Sequence, residues 1–163
     1  MAERAITAKD ELLAAFDDAL SYQWESVEAA LRDVSDFEAC YQPPAYLGEP
    51  TDDGYPPAGT IMWHVVHLAH CYRYYRDNII ERPNAVGDPP TPRARTLGEA
   101  ITELKKYRSE LRETIVSLRD EEFAERLKNY ESISEQMRMM IRHDAWHAGQ
   151  IAVIKRLHRA TQP

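Results

Sequence analysis

Apolar residues recur along most of this chain every three to four positions, the spacing that gathers them on one side of an α-helix. Four segments carry the pattern. The first runs from about Lys9 to Val34, with Thr7 placed to cap it, Asp10 three residues on, and an inward stripe of Leu13, Phe16, Leu20, Val27, Leu31 and Val34. The second runs from about Thr60 to Ile80 and buries Ile61, Val65, Leu68, Tyr72, Tyr75 and Ile79. The third opens on "TLGE" (Thr96 and Glu99) and carries Leu97, Ile101, Leu104, Leu111, Ile115 and Leu118 near a heptad seam. The fourth opens on "SISE" (Ser132 to Glu135) and reaches about His158. No strand-like alternation appears. Nine of the ten prolines lie between Pro43 and Pro92, in the stretches 41–60 and 81–93, which therefore read as loops. The expectation is an all-α four-helix bundle forming one domain over residues 1–163.

The fourth helix carries an anomaly. Its inward stripe reads Gln136, Met140, His143, His147, Gln150, Ile154 and Leu157, so polar groups stand in the middle of an apolar face. Burying imidazoles and amides costs free energy unless they find partners. Residues four apart lie one turn apart on the same side, so His143 and His147 can reach a common metal ion. "HDAWH" is near the zinc-protease pattern HExxH but departs from it. Asp144 is one methylene shorter than the glutamate base, and the only histidine downstream is His158. Asp144 is also about 100° round the helix from His143 and reads as a surface charge.

A third ligand is better sought in "WHVVHLAH" on the second helix, which offers His64, His67 and His70. His70 points away from the apolar stripe and reads as solvated. His64 borders the stripe and is favoured by periodicity. His67 lies further round, with Cys71 and Tyr74, on a face a second helix could cover. Periodicity does not decide between these two.

"HLA" at 67–69 and "HDAWHAGQI" at 143–151, set in this helix order with long connections, resemble the DinB/YfiT-like superfamily of metalloenzymes. The resemblance implies one divalent ion, Zn²⁺ or Ni²⁺, on three histidines that map to His67, His143 and His147. It also implies a four-helix bundle that pairs as a homodimer. Relatives of that kind include low-molecular-weight-thiol transferases and a thiol-dependent isomerase, so it further implies metal-dependent S-transfer from such a thiol to a small electrophile. The alternative is a non-catalytic metal-binding or stress-associated protein. Gln150 matches the signature glutamine, with either a supporting or a packing role. Three neutral imidazoles leave coordination positions free, and Cys71, one turn from His67, is a candidate fourth ligand.

Composition narrows the partners. The formal charge is −7 with no Lys/Arg cluster, which argues against nucleic-acid binding. No apolar run nears the ~20 residues a membrane span requires, and "MAERAITAKDELL" lacks a signal-peptide core. Cys40 and Cys71 show no framework spacing and read as packing residues in a reduced, cytoplasmic chain. No Gly-rich phosphate loop or nucleophile elbow is present. Trp63, Trp146, Tyr72, Tyr74 and Tyr75 read first as core, and Arg73 and Arg76 as solvated.

Overall fold

The computed structural model describes residues 6–46, 55–84 and 86–162, and among these the protein is all-α. Its helices are α1 (Ala8–Ser21), α2 (Val27–Leu31), α3 (Asp36–Ala39), α4 (Ile61–Ile80), α5 (Leu97–Ser117) and α6 (Ile133–Ala160). The part of the first proline-rich loop at 47–54 lies outside the described residues. α5 packs along α4, and α6 lies against α1, α2 and α4.

All four predicted helices start at a capping residue. The Thr60, Thr96 and Ser132 side chains accept the backbone N–H groups of Trp63, Glu99 and Glu135. In the last two, the glutamate carboxylate returns one residue early, to the N–H groups of Arg95 and Glu131. Thr7 and Asp10 form a full reciprocal box at α1.

The first predicted helix is instead divided into three. Ser26 accepts the Ala29 N–H and donates to the Tyr22 carbonyl at 2.6 Å, so it closes a bend and starts α2. Ser35 does the same for α3 through the Glu38 N–H, after Asp33 has turned the chain at φ 60°. Val27 and Leu31 still reach the core. Leu20 and Val27 are seven residues apart, so the apolar phase continues across the break and conceals it.

One feature of the core is ionic. Arg108, on the α5 seam between Leu104 and Leu111, is 4 % exposed, and Asp144 on α6 is fully buried. They pair at 2.7 Å. The Tyr72 hydroxyl donates to Asp144 at 2.7 Å and accepts from Arg108 at 2.7 Å. Arg108 also donates to the Phe16 carbonyl of α1 and lies 3.7 Å over the Phe16 ring. Asp144 is therefore a core residue and not the surface charge its angular position suggested. Leu157 is 46 % exposed, and the inward positions there belong to Ile151, Ile154 and His158.

Arg108→Met should destabilise the protein by ~3–5 kcal/mol, because it leaves the Asp144 carboxylate buried without its partner. The double variant with Asp144→Leu should recover most of that loss. Urea unfolding of the two variants checks both, and equal stability of Arg108→Met and the native chain would refute the assignment.

Candidate metal centre

α4 carries His64, His67 and His70 at three-residue steps, so the rings fan round the helix and meet different partners. His64, buried, sets its Nδ1 2.7 Å from Nδ1 of His147. His147, fully buried, sets its Nε2 2.9 Å from Nε2 of His143. The Tyr75 hydroxyl lies 3.5 Å from His143 Nδ1. His67 stacks on Trp63, with ring centroids 4.8 Å apart, and its Nε2 is 3.4 Å from Cys71 Sγ. Its ring centroid lies 5.3 Å from that of His143 and 5.0 Å from that of His147.

One ligand atom from each of His67, Cys71 and His143 comes within 4.8 Å of the others, a spacing able to hold a metal ion. His67 and His143, both named from the sequence, thus sit together with Cys71. His147 adjoins the group through His143 and touches His64 on its other side. Cys71 enters the cluster, whereas Cys40 is exposed and packs nothing; both thiols are free. Gln150 is half-buried.

The cluster opens on a cavity of about 510 Å³, whose wall includes His67, Cys71, Trp63, Tyr74, Tyr75 and Tyr130. Two of the aromatics behave otherwise: Tyr72 is fully buried in the core and Trp146 is 56 % exposed. The remaining wall comes from Tyr55 before α4 and from Asp88 and Thr91 after it, one residue set from each proline-rich stretch. His70 also lines the cavity and is 7 % exposed, not solvated as its position suggested. Its neighbours are the Tyr55 hydroxyl on Nδ1 and the Asp88 carboxylate 3.0 Å from Nε2. Arg73 lies over the Tyr107 ring, and Arg76 pairs with Asp77 and Glu110.

Burial governs the protonation of the cluster. It holds the His64 and His67 imidazoles down to about 4 and His147 to about 2, with the neighbouring imidazoles adding to the effect. His143 is lowered by burial too. The Cys71 thiol is pushed up to about 12, again mainly by burial, and the Tyr75 hydroxyl well above its ordinary value. At neutral pH the histidines are therefore uncharged, each with a lone pair to give, and the thiol keeps its proton.

The sequence profile of the DinB superfamily matches residues 19–151, most of the chain and all of both histidine segments. The chain belongs to the DinB superfamily. No curated protein and no solved structure matches it.

The residues of this DinB-superfamily protein fit a divalent ion on their own chemistry. Two nitrogen ligands ~2.1 Å from one ion at 90–109° lie about 3.0–3.4 Å apart, and the Nε2 atoms of His143 and His147 are 2.9 Å apart. His64 Nε2 is buried with no hydrogen-bond partner among the described residues. Neutral imidazoles are the form that ligates. The HExxH reading fails here for a structural reason: the carboxylate of Asp144 is held by Arg108 and Tyr72.

Metal-free protein should lose stability as the pH falls. An unfolded histidine titrates near 6.5 and the folded His64 and His67 near 4, so the unfolded chain takes up protons first. The stability is intact above about 6.5 and lost as the pH falls through 4, with His147 extending the loss toward 2. Denaturant midpoints measured from pH 8 to 4 check this, and a His64→Gln variant should show the shallower decline.

Proposed function

We propose that this protein holds one divalent ion, Zn²⁺ or Ni²⁺, through His67, His143 and His147, and uses it in the transfer of a low-molecular-weight thiol to a small electrophile. The observation that carries the reading is that His67, whose ring lies about 5 Å from those of His143 and His147, lines an aromatic-walled cavity of about 510 Å³. That volume is within the range of small-molecule sites, ~300–1,000 Å³. When bound, the ion supplies Lewis acidity that lowers the pKa of a thiol or water beside it.

The chain's own residues do the rest. Neutral His67, His143 and His147 supply lone pairs and no negative charge, so the ion's charge stays available to an anionic ligand. Trp63 stacks on His67 and fixes its ring plane. The Cys71 thiol, kept protonated by burial, is a poor nucleophile in the absence of an ion and does not compete with an incoming thiol. Trp63, Tyr74 and Tyr130 offer apolar faces to the body of an electrophile.

A specific observation favours a second reading. Cys71 Sγ lies 3.4 Å from His67 Nε2, close enough to join the shell. With a thiolate as fourth ligand the site would be closed and structural, and the protein a non-catalytic metal binder.

Elemental analysis and spectroscopy divide the two. His67→Ala and His147→Ala should each weaken metal binding by more than ~100-fold, beyond what loss of a supporting residue costs. Cys71→Ser should leave stoichiometry unchanged, and the Co²⁺-substituted native protein should lack thiolate charge-transfer bands. Their presence would establish the closed site. Conjugation of a generic electrophile to thiols should stop on chelation and return with Zn²⁺ or Ni²⁺. No metal-dependent rate with several thiols would replace the first reading with the second.

A further inference from the structure

The metal reading leaves one step unprovided for. An incoming thiol must lose its proton, and neither of the two buried carboxylates among the described residues is free to take it. Asp144 is committed to the core pair with Arg108, and Glu38, the other buried carboxylate among the described residues, is bonded to Arg159.

The cavity wall opposite this deficit holds three residues in series. Asp88 Oδ1 is 3.0 Å from His70 Nε2, and His70 Nδ1 is hydrogen-bonded to the Tyr55 hydroxyl. All three line the cavity that His67 and Cys71 face. A carboxylate only accepts, so the Nε2 of a neutral His70 carries the hydrogen and donates it to Asp88. Nδ1 is then left as the acceptor, and the Tyr55 O–H points its proton at it. This is the order of base and orienting carboxylate that activates a hydroxyl elsewhere, here with a phenol in the hydroxyl's place. The Tyr55 ring centroid is 6.3 Å from that of His67, so the two residues face the same cavity.

We infer that Tyr55, His70 and Asp88 form a proton relay that takes the proton of the incoming thiol and returns it to the adduct. The inference rests on the S-transfer reading above. The S–H proton passes to the Tyr55 oxygen while the Tyr55 proton moves to His70 Nδ1, and the Asp88 carboxylate stabilises the imidazolium. The sulfur electron pair forms the S–C bond. With an epoxide, the C–O bond breaks and keeps its pair on oxygen; with an α,β-unsaturated carbonyl, the C=C pair shifts to give the enolate. The proton on His70 then returns through Tyr55 to that oxygen or to the enolate carbon. No oxidant, reductant or net proton is needed. The relay therefore suits electrophiles that finish one proton richer. With an alkyl halide the C–halogen bond breaks and the halide ion departs with the bonding pair, so the return step has no use there. Tyr55 is the catalytic residue; His70 and Asp88 act through it as positioning residues.

The alternative is that the three residues only strap the connecting segments to α4. Three variants separate the two: Tyr55→Phe, His70→Gln, and Asp88→Asn, whose side chain is 81 % exposed and whose loss cannot unfold the core. In Zn²⁺-loaded protein each should retain its metal. Tyr55→Phe should lower kcat for conjugation of 2-mercaptoethanol to styrene oxide by 10²–10⁴-fold, the range of general acid–base catalysis, and lower it less for an alkyl iodide. Asp88→Asn should show a smaller fall in kcat at unchanged KM. A readout independent of turnover is proton release on 2-mercaptoethanol binding, from titration calorimetry in buffers of different ionisation enthalpy. Tyr55→Phe and His70→Gln should release one proton more per thiol bound than the native protein.

Equal proton release and unchanged kcat in Tyr55→Phe would overturn the relay and leave S-transfer standing. A native protein without turnover, in which Tyr55→Phe still changes proton release, would sink S-transfer and the return of the proton to an adduct, and keep only the uptake of the thiol proton by Tyr55 and His70. Unchanged proton release in that case would remove both.

Discussion

A guanidinium in the middle of a helical core is the constraint on which the other placements depend. Arg108 cannot lose its charge, so every donor it presents must be met, and the acceptors come from three other helices. Asp144 is on α6, the Tyr72 hydroxyl on α4 and the Phe16 carbonyl on α1. Apolar packing tolerates small rotations of a helix at modest cost, whereas a buried ion pair does not. Burial raises the Asp144 carboxyl, while the guanidinium and the phenol draw it back toward the ionised form. The rotation of α6 is thus fixed at Asp144, next in sequence to His143. With Asp144 held by Arg108 of α5 and Tyr72 of α4, His143 and His147 are set against the α4 histidines. The metal-capable face is the neighbour of the ion pair on the same turn.

The histidine cluster reflects the opposite electrostatic choice. Its rings are buried or half-buried with no carboxylate bonded to them among the described residues, and burial strips their protons instead of pairing them. A core with three or four neutral imidazoles nitrogen to nitrogen satisfies only part of its hydrogen-bonding capacity, and His64 Nε2 is the visible remainder. Such an arrangement is poor as packing and good as a ligand set. α4 uses its three histidines for three purposes because steps of three residues turn the helix by about 300° each. His64 faces His147, His67 faces Cys71 and the cavity, and His70 faces Tyr55 and Asp88.

How much of this could be read from the chain follows from which signals are local. The caps Thr60, Thr96 and Ser132 depend on a few residues, and the helices they begin were legible. The four-residue spacing put His143 and His147 on one face, whereas period left His64 and His67 open and only the resemblance named His67. The division of α1, α2 and α3 was hidden because the apolar phase runs through it, although Ser35 three residues before Glu38 carried a capping signature. Arg108, Asp144 and His70 were misread or unread for a single reason. Each is a polar residue at a position whose burial depends on a partner distant in sequence, and periodicity assigns polar residues to solvent by default. The signal available was positional: Arg108 continues the seam of Leu104 and Leu111, and Asp144 shares a face with Met137, Met140 and Ile151.

The same distinction separates what the helices hold from what the connections supply. The cluster's ligating atoms all come from α4 and α6, whose relative rotation the ion pair fixes. The far wall comes from the chain on either side of α4, Tyr55 before it and Asp88 and Thr91 after it. The approach to α4 is narrow: Gly59 has φ 74° and lies against the Tyr46 ring, where an added Cβ would come within 2.3 Å of ring carbon. Only glycine fits that turn on both counts, immediately before Thr60 caps the helix. A ligand set anchored by the core and a wall carried by connections can change separately. The metal-capable ligand set is then a property of the helices, and the shape of the cavity beside it belongs to the two segments that flank α4.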